Sequence, residues 1–344
     1  LTDVGYKPIE SVDVGDMVLT HRGRWRPVQV VRNTGVRPVV TIRAQGVPGL
    51  TLTPDHMVWA RRVPGDAWSV SHSRAAAKKV DPAWIEAEQL QGSYINQKLP
   101  PEAEIPVSER ELRLIGRWIA DGHVETRGGF VVSIGAAKLD AFREMAGQHA
   151  GGESERTATQ IRLVGLSGLA KSLLMEAGSG AANKQIPPVL FSLPNQQAIA
   201  LLDGYLSGDG HLVTGRNRWM ATTVSKKLAL GISMLAQRAF GAMASIHAGR
   251  APGQTVIDGR TVQTKQEWIV SFDMPDAERK NSLPFILDDG AWKKVRSIEE
   301  AGEVETWCLR VEEDESFTAD GCIVKNCPLQ FDIVDRLIER YSNL

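Results

Sequence analysis

The chain has 344 residues, 42% of them hydrophobic and 24% charged, with a formal net charge of −1. That length accommodates two or three domains with at least one sizeable core, and the balance is that of an ordinary soluble globular protein rather than a polybasic nucleic-acid coat. No apolar run approaches the roughly 20 residues that cross a bilayer, no signal peptide opens the chain, and three cysteines make neither a disulfide framework nor a zinc site; no membrane partner is expected, and a reducing cytoplasm, where thiols stay free, fits best.

Taken in order, the first hundred residues read as short strands. "DMVLTHRGRWRPVQVVRNTGVRPVVTIRAQG" alternates β-branched and polar residues, with turns predicted at Arg22-Gly23 and Thr34-Gly35, and "GLTLTPDHMVWARR" continues the pattern. A Pro-rich polar stretch, 99–107, reads as a linker. The period then changes. "SERELRLIGRWIADG" sets Leu112, Ile115 and Ile119 at helical spacing, with Ser108 as N-cap and Glu111 three residues on. Helical and strand-like pieces alternate to about Phe285, and strands return until Asn326. The predicted fold class is α+β: a β-rich module, 1–98 and 286–326, split by an inserted α/β domain, 108–285. "FDIVDRLIERYSNL" at the end forms an amphipathic helix that belongs to neither. Between Ile105 and Phe285 stand 20 Lys and Arg against 16 Asp and Glu, a slight lean towards phosphate partners.

The insert contains a repeat. "LIGRWIADGHV" at 114–124 matches "LLDGYLSGDGHL" at 201–212, with small residues four apart, Gly116 and Ala120 in one copy, Gly204 and Gly208 in the other. Small residues on one face let two such helices meet backbone to backbone. Asp121 and Asp209 then converge at two partially negative helix C-termini. Two carboxylates in that field call for a cation, and hard oxygen donors suit Mg²⁺ (or Mn²⁺). Such an ion activates water and stabilises the leaving oxygen of a phosphodiester. For one copy alone, an Asp-Gly helix stop is the better reading; two copies favour the metal.

These residues resemble the single-chain, two-motif form of the LAGLIDADG homing endonucleases, over repeats of about 108–195 and 196–285. "NKQIPPVLFSLPNQQAIALLDGYLSGDGHL" and "TTVSKKLALGISMLAQRAFG" extend the likeness. The resemblance implies a monomeric, metal-dependent nuclease for double-stranded DNA, with Asp121 and Asp209 as catalytic metal ligands and a saddle of strands across the DNA. Arg117-Trp118 is expected on an outward helix face.

The flanks are similar to the two halves of an intein splicing domain, the β-rich horseshoe shared with hedgehog autoprocessing domains. "GYKPIESVDVGDMVLTHRGRWRPV" looks like the stretch after an intein's N-terminus, "LTLTPDHMVWA" carries a Thr-x-x-His arrangement as Thr53 and His56, and "ETWCLRVEEDESFTADGCIVKNC" looks like the C-terminal blocks. The resemblance implies that the Asn326 amide cyclises on its own carbonyl, that Cys327 first accepts the upstream chain as a thioester, and that His56 and Thr53 act on the upstream junction. Singly, His56 is an ordinary surface histidine and Thr53 a strand residue. The expected partners are the chain's own flanking exteins and the DNA of the intein-free host gene.

Three departures stand out. The intein's N-terminal Cys or Ser lies upstream of Leu1-Thr2, so the first acyl shift is not expected of this piece. Lys325 stands where His usually precedes the terminal Asn. Cys308 stands in place of an Asp and Glu315 in place of a His, while Trp59 and Val324 are out of register with the subgroup that uses such a Cys. Cys308 is a candidate assistant nucleophile and equally a buried strand thiol. "CPLQFDIVDRLIERYSNL", 327–344, resembles the stretch before the cofactor motif of amino-group DNA methyltransferases and reads as the start of the host. Two rival readings are a DNA-binding remnant without cleavage and a piece of a methyltransferase.

Overall fold

A computed structural model describes residues 1–63, 70–126, 128–155, 159–257, 260–274 and 284–327. The proposed host helix, 328–344, lies outside the described residues. The first elements are β1 (Met17–Leu19), β2 (Trp25–Ala44), β3 (Leu50–Leu52), β4 (Met57–Arg61), α1 (Val70–Lys79), β5 (Ala83–Glu86) and β6 (Tyr94–Gln97). Next come α2 (Glu109–Asp121), β7 (Gly122–Val124), β8 (Phe130–Ile134), α3 (Leu139–Ala146), β9 (Ala150–Glu155), β10 (Thr159–Leu163) and α4 (Gly168–Glu176). There follow α5 (Asn195–Asp209), β11 (Gly210–Val213), β12 (Arg218–Thr223), α6 (Lys226–Phe240), β13 (Ser245–Ala248), β14 (Gly253–Ile257), β15 (Arg260–Thr264) and β16 (Trp268–Asp273). The last are β17 (Phe285–Leu287), β18 (Gly290–Val311), β19 (Ser316–Ala319) and β20 (Cys322–Lys325).

The chain divides into two compact units, Leu1–Pro101 with Arg279–Leu344, and Glu102–Glu278. The first unit is a ten-stranded sheet in the order β1-β2-β18-β6-β4-β20-β19, with β3 on β2, β17 on β18 and β5 on β4. Alternate residues of its strands, among them Val28, Ile42, Val58, Ile95, Leu309 and Val324, are buried together in one core. The predicted hairpin at Arg22-Gly23 joins β1 to β2, with Gly23 at φ +75°. Thr34-Gly35 is a correction: no turn breaks the chain there, and β2 runs on for 20 residues. Asn33 pairs with Trp307 and Gly35 with Thr306, so Thr34 is the extra residue of a β-bulge whose glycine takes φ +82°. At the other end, Asp320 and Gly321 take φ +46° and +78°, the two left-handed positions of a tight hairpin turn between β19 and β20.

The second unit repeats one plan. A helix runs straight into a strand, giving sheets β7-β8-β10-β9 and β11-β12-β16-β13 of identical order, first-second-fourth-third. The hairpin β14–β15 is extra to the second copy. The predicted start of α2 is present in full: Ser108 caps the Glu111 amide and Glu111 returns to the Ser108 main chain. Helices α2 and α5 pack with main chain against main chain. A Cβ at Gly116 would collide with the Leu201 carbonyl, and one at Gly204 with the Arg113 carbonyl.

Because the atoms opposite Gly204 are backbone, no rotamer relieves the overlap. Gly204→Val is expected to destabilise the second unit by at least about 2 kcal/mol in a thermal melt. Gly152→Ala, where a Cβ meets nothing within 4 Å, is the control and should leave the transition almost in place.

Candidate functional site

Two clusters gather the chemistry-bearing residues, one in each unit. In the second unit, α2 and α5 end at Asp121 and Asp209, and each chain continues at once through Gly122 or Gly210 into an edge strand. The carboxylates sit where each helix leaves its last carbonyls unpaired. Burial, and then the charge of Asp121, push the Asp209 carboxyl up to about 6, against the pull of Lys184, Arg117 and Lys138. Asp209 therefore feels the charge of Asp121.

Three cations complete the cluster. Lys184, 4% exposed, donates from Nζ to the Trp118 carbonyl (2.8 Å) and the Ala120 carbonyl (3.2 Å), capping α2, and lies over the Trp118 ring. Burial lowers its ammonium to about 8, with Asp209 and Asp121 resisting. Lys138 Nζ donates to the Gly208 carbonyl at 2.6 Å and caps α5 in the same way. Arg117 is a correction: it was expected on an outward face, yet it is 2% exposed and pairs through Nη2 with Asp121 Oδ2 at 2.8 Å. Trp118 beside it is fully buried. The apolar spacing left Arg117 off the packed face, but the close helix crossing encloses that face as well. Lys184 carries little signal in the sequence beyond its place in "NKQIPP" ahead of the second helix.

The oxygen-only donor set, two coupled carboxylates and the carbonyls of two helix ends, fits a hard divalent cation. Among the described residues no group of three His, Cys, Asp or Glu gathers into a metal centre, so further ligands would be carbonyls, water or substrate phosphate.

In the first unit, the hairpin β19–β20 carries the chain to Asn326. The Asn326 amide nitrogen donates to the Val311 carbonyl at 3.2 Å, its main-chain N–H donates to the Glu315 carbonyl at 2.8 Å, and its Oδ1 is buried with no hydrogen-bond partner. His56, 271 positions away in sequence, has Nδ1 3.5 Å from Cys327 Sγ. Its position follows from the Thr53–His56 turn, closed by the His56 N–H to the Thr53 carbonyl at 3.0 Å. Thr53 thus shapes the loop through its main chain. Burial lowers the His56 imidazole below its ordinary value, opposed by Asp55 and by a hydrogen bond with the Lys325 main chain. The Lys325 ammonium lies over the Trp84 ring, 5.8 Å from its centre.

The expectation that all three thiols stay free is corrected. Cys308 on β18 and Cys327 are joined as a disulfide, their Cα atoms 6.3 Å apart, and Cys322, outside that disulfide, is buried in the core. Sequence spacing put 19 residues between them, and only the return of β19–β20 beside the end of β18 closes that distance.

Comparison with known proteins gives a LAGLIDADG-like domain at residues 196–273. An ATP-dependent DNA helicase Hel308 of Thermococcus kodakarensis is 27% identical over all of this chain and 37% of its own length. An iron-sulfur cluster assembly SufBD family protein of Mycobacterium tuberculosis is 25% identical over 94% of this chain and 41% of its own. The DNA polymerase II large subunit of Thermococcus kodakarensis is 28% identical over 38% of this chain and 8% of its own. The chain therefore spans about two fifths or less of these relatives. The N-terminal LAGLIDADG domain of DUF199/WhiA aligns with 49% of this chain and 80% of its own at 10% identity and a TM-score of 0.30.

Two measurements check the junction. Thiol titration of the unfolded, unreduced protein should find one reactive cysteine, and three after reduction; three without reductant would contradict the pairing. A lowered imidazole pKa means the native state binds a proton less readily than the unfolded chain, so His56 opposes folding below pH about 6.5 and has no effect above it. NMR should accordingly show His56 neutral at pH 6.5, and His56→Gln should flatten the acid limb of the stability curve. An imidazolium at that pH would contradict its burial.

Proposed function

We propose that this chain is a protein-splicing insert whose sheet unit cuts and rejoins its own backbone, and whose Glu102–Glu278 unit is a site-specific endonuclease for double-stranded DNA. The observation that carries the splicing reading is the junction itself: Asn326, held by its amide and its main chain, immediately before a sulfur that lies against His56. The relatives add to it. A helicase, a polymerase subunit and an iron-sulfur assembly protein share no activity by name, yet each matches this chain over a minority of its own length. A module carried inside unrelated hosts has that pattern.

The cyclisation balances within the chain. The Asn326 amide nitrogen attacks its own carbonyl carbon and loses a proton, a five-membered succinimide closes, and the bond to Cys327 breaks as its nitrogen takes up a proton. Val311 and Glu315 hold the two nitrogens of Asn326, which limits the rotations that would carry the amide away from its target. Before that step, the thiol of reduced Cys327 gives its proton to neutral His56 and attacks the acyl carbon that joins the upstream chain to the insert's first residue; the bond to that residue breaks, and its side-chain sulfur or oxygen leaves with the proton. The Lys325 side chain lies over the Trp84 ring, and His56 is the group placed against the sulfur. Cys308 acts by pairing with Cys327, and the thiol must be released by reduction before it can serve.

In the second unit, Asp121 and Asp209 would hold Mg²⁺ (or Mn²⁺), which when bound activates water and stabilises a leaving phosphate oxygen. Lys184 and Lys138 neutralise the helix ends and offset phosphate charge. The target is the uninterrupted host coding sequence around Cys327, which the insert's own gene protects by interrupting it. DNA affinity comes chiefly from Lys and Arg contacts to phosphate.

Mass spectrometry of the reduced protein should detect the peptide 327–344 released from the wild-type chain and none from Asn326→Ala. Equal release from both, or cleavage at another bond, would exclude Asn326 as the cyclising residue. For the insert, Asp121→Asn or Asp209→Asn should abolish Mg²⁺-dependent cutting of the uninterrupted site while leaving the gel shift. Binding without cutting by the wild type, in Mg²⁺ and Mn²⁺ alike, makes the insert a DNA-binding remnant.

A further inference from the structure

We propose that Arg117 is a tethered counter-ion that a divalent metal must displace from Asp121 before the acidic pair can hold it. This rests on the reading of Asp121 and Asp209 as metal ligands. The guanidinium pairs with Asp121 Oδ2 at 2.8 Å, and its Nη1 lies 2.9 Å from where a Cβ at Gly208 would stand, the same distance as Asp121 Oδ2. It thus fills the seam between the helix ends, in the space that the missing side chain of Gly208 leaves. Its buried Nε has no hydrogen-bond partner, so the pairing with Asp121 is the contact that compensates the burial of the charge.

The corresponding residue of the second repeat is Tyr205, four positions before Asp209 as Arg117 is four before Asp121. A phenol cannot neutralise a carboxylate, so the two halves of the site differ. Asp121 has a resident cation on its own helix, and Asp209 has none. With Lys184 and Lys138 on the helix-end carbonyls, the cluster is already charge-balanced without an added ion. A dication entering meets a like charge at contact distance and competes for the same carboxylate oxygen.

Mn²⁺ binding to the full chain, read from the loss of the free-ion EPR signal, tests this directly. Arg117→Leu should bind Mn²⁺ at least about tenfold more tightly than wild type, a lower bound well under the full repulsion of two like charges at contact distance, because the arginine swings aside as the metal enters. Arg117→Lys, which keeps the charge, should restore the weaker binding. Equal or weaker binding by Arg117→Leu overturns the proposal. Should that variant fail to fold, the unaltered protein decides: the Arg117 Nε–Hε NMR signal must move in step with Mg²⁺ saturation, and saturation with the signal unmoved overturns it. Asp209→Asn separates the two readings. Mn²⁺ bound equally by wild type and Arg117→Leu but lost in Asp209→Asn rejects the role of Arg117 alone. Mn²⁺ bound by none of them rejects the acidic pair, and this proposal with it.

Discussion

The second unit depends on a contact with no side chains in it. Gly116 and Gly204 each face a carbonyl of the opposite helix, and any Cβ there would overlap backbone. Close approach gains dispersion along two helices, but it also brings together two helix C-termini and their terminal aspartates. Field and charge have the same sign at that point, so something positive has to enter. Lys184, Lys138 and Arg117 do so from three different places in the sequence. The raised Asp209 carboxyl and the lowered Lys184 ammonium record the same compromise, burial set against mutual attraction.

The first unit solves a different problem, that of bringing strands from both ends of the chain into one sheet. Its spine is β18, which pairs with β2 along most of its length and with β6 near its start. β20 is fixed against β4 and β19, so Asn326 emerges between strands drawn from both ends of the chain. The bulge at Thr34-Gly35 and the shift opposite Glu300 and Glu303 increase the local twist of the β2–β18 ribbon without breaking its pairing. Removal of His56 from water lowers its imidazole below the ordinary value beside the Cys327 sulfur.

The local features were legible because their causes are local. Ser108 with Glu111 specifies a capping box through a three-residue spacing, and the helix begins there. Arg22-Gly23 needs one left-handed residue to turn, and Gly23 supplies it. The recurrence of small residues four apart, followed by Asp-Gly, was enough to place Asp121 and Asp209 at helix ends. Thr34-Gly35 is a bulge rather than a turn for a related reason: a positive-φ glycine serves either equally well, and only the partner strand distinguishes them.

What the sequence determined by itself was the periodicities, the caps, the repeated helix with its acid, and the Asn-Cys seam, each set by residues within about a turn or a strand of one another. The tertiary structure alone decided that Arg117 is enclosed rather than exposed, that Lys184 caps a helix 66 positions away, that Cys308 meets Cys327, and that His56 meets the same sulfur from 271 positions away. A contact between distant residues depends on the closure of every element between them. No short stretch of sequence carries that information, because the free energy that selects it belongs to the whole packed unit.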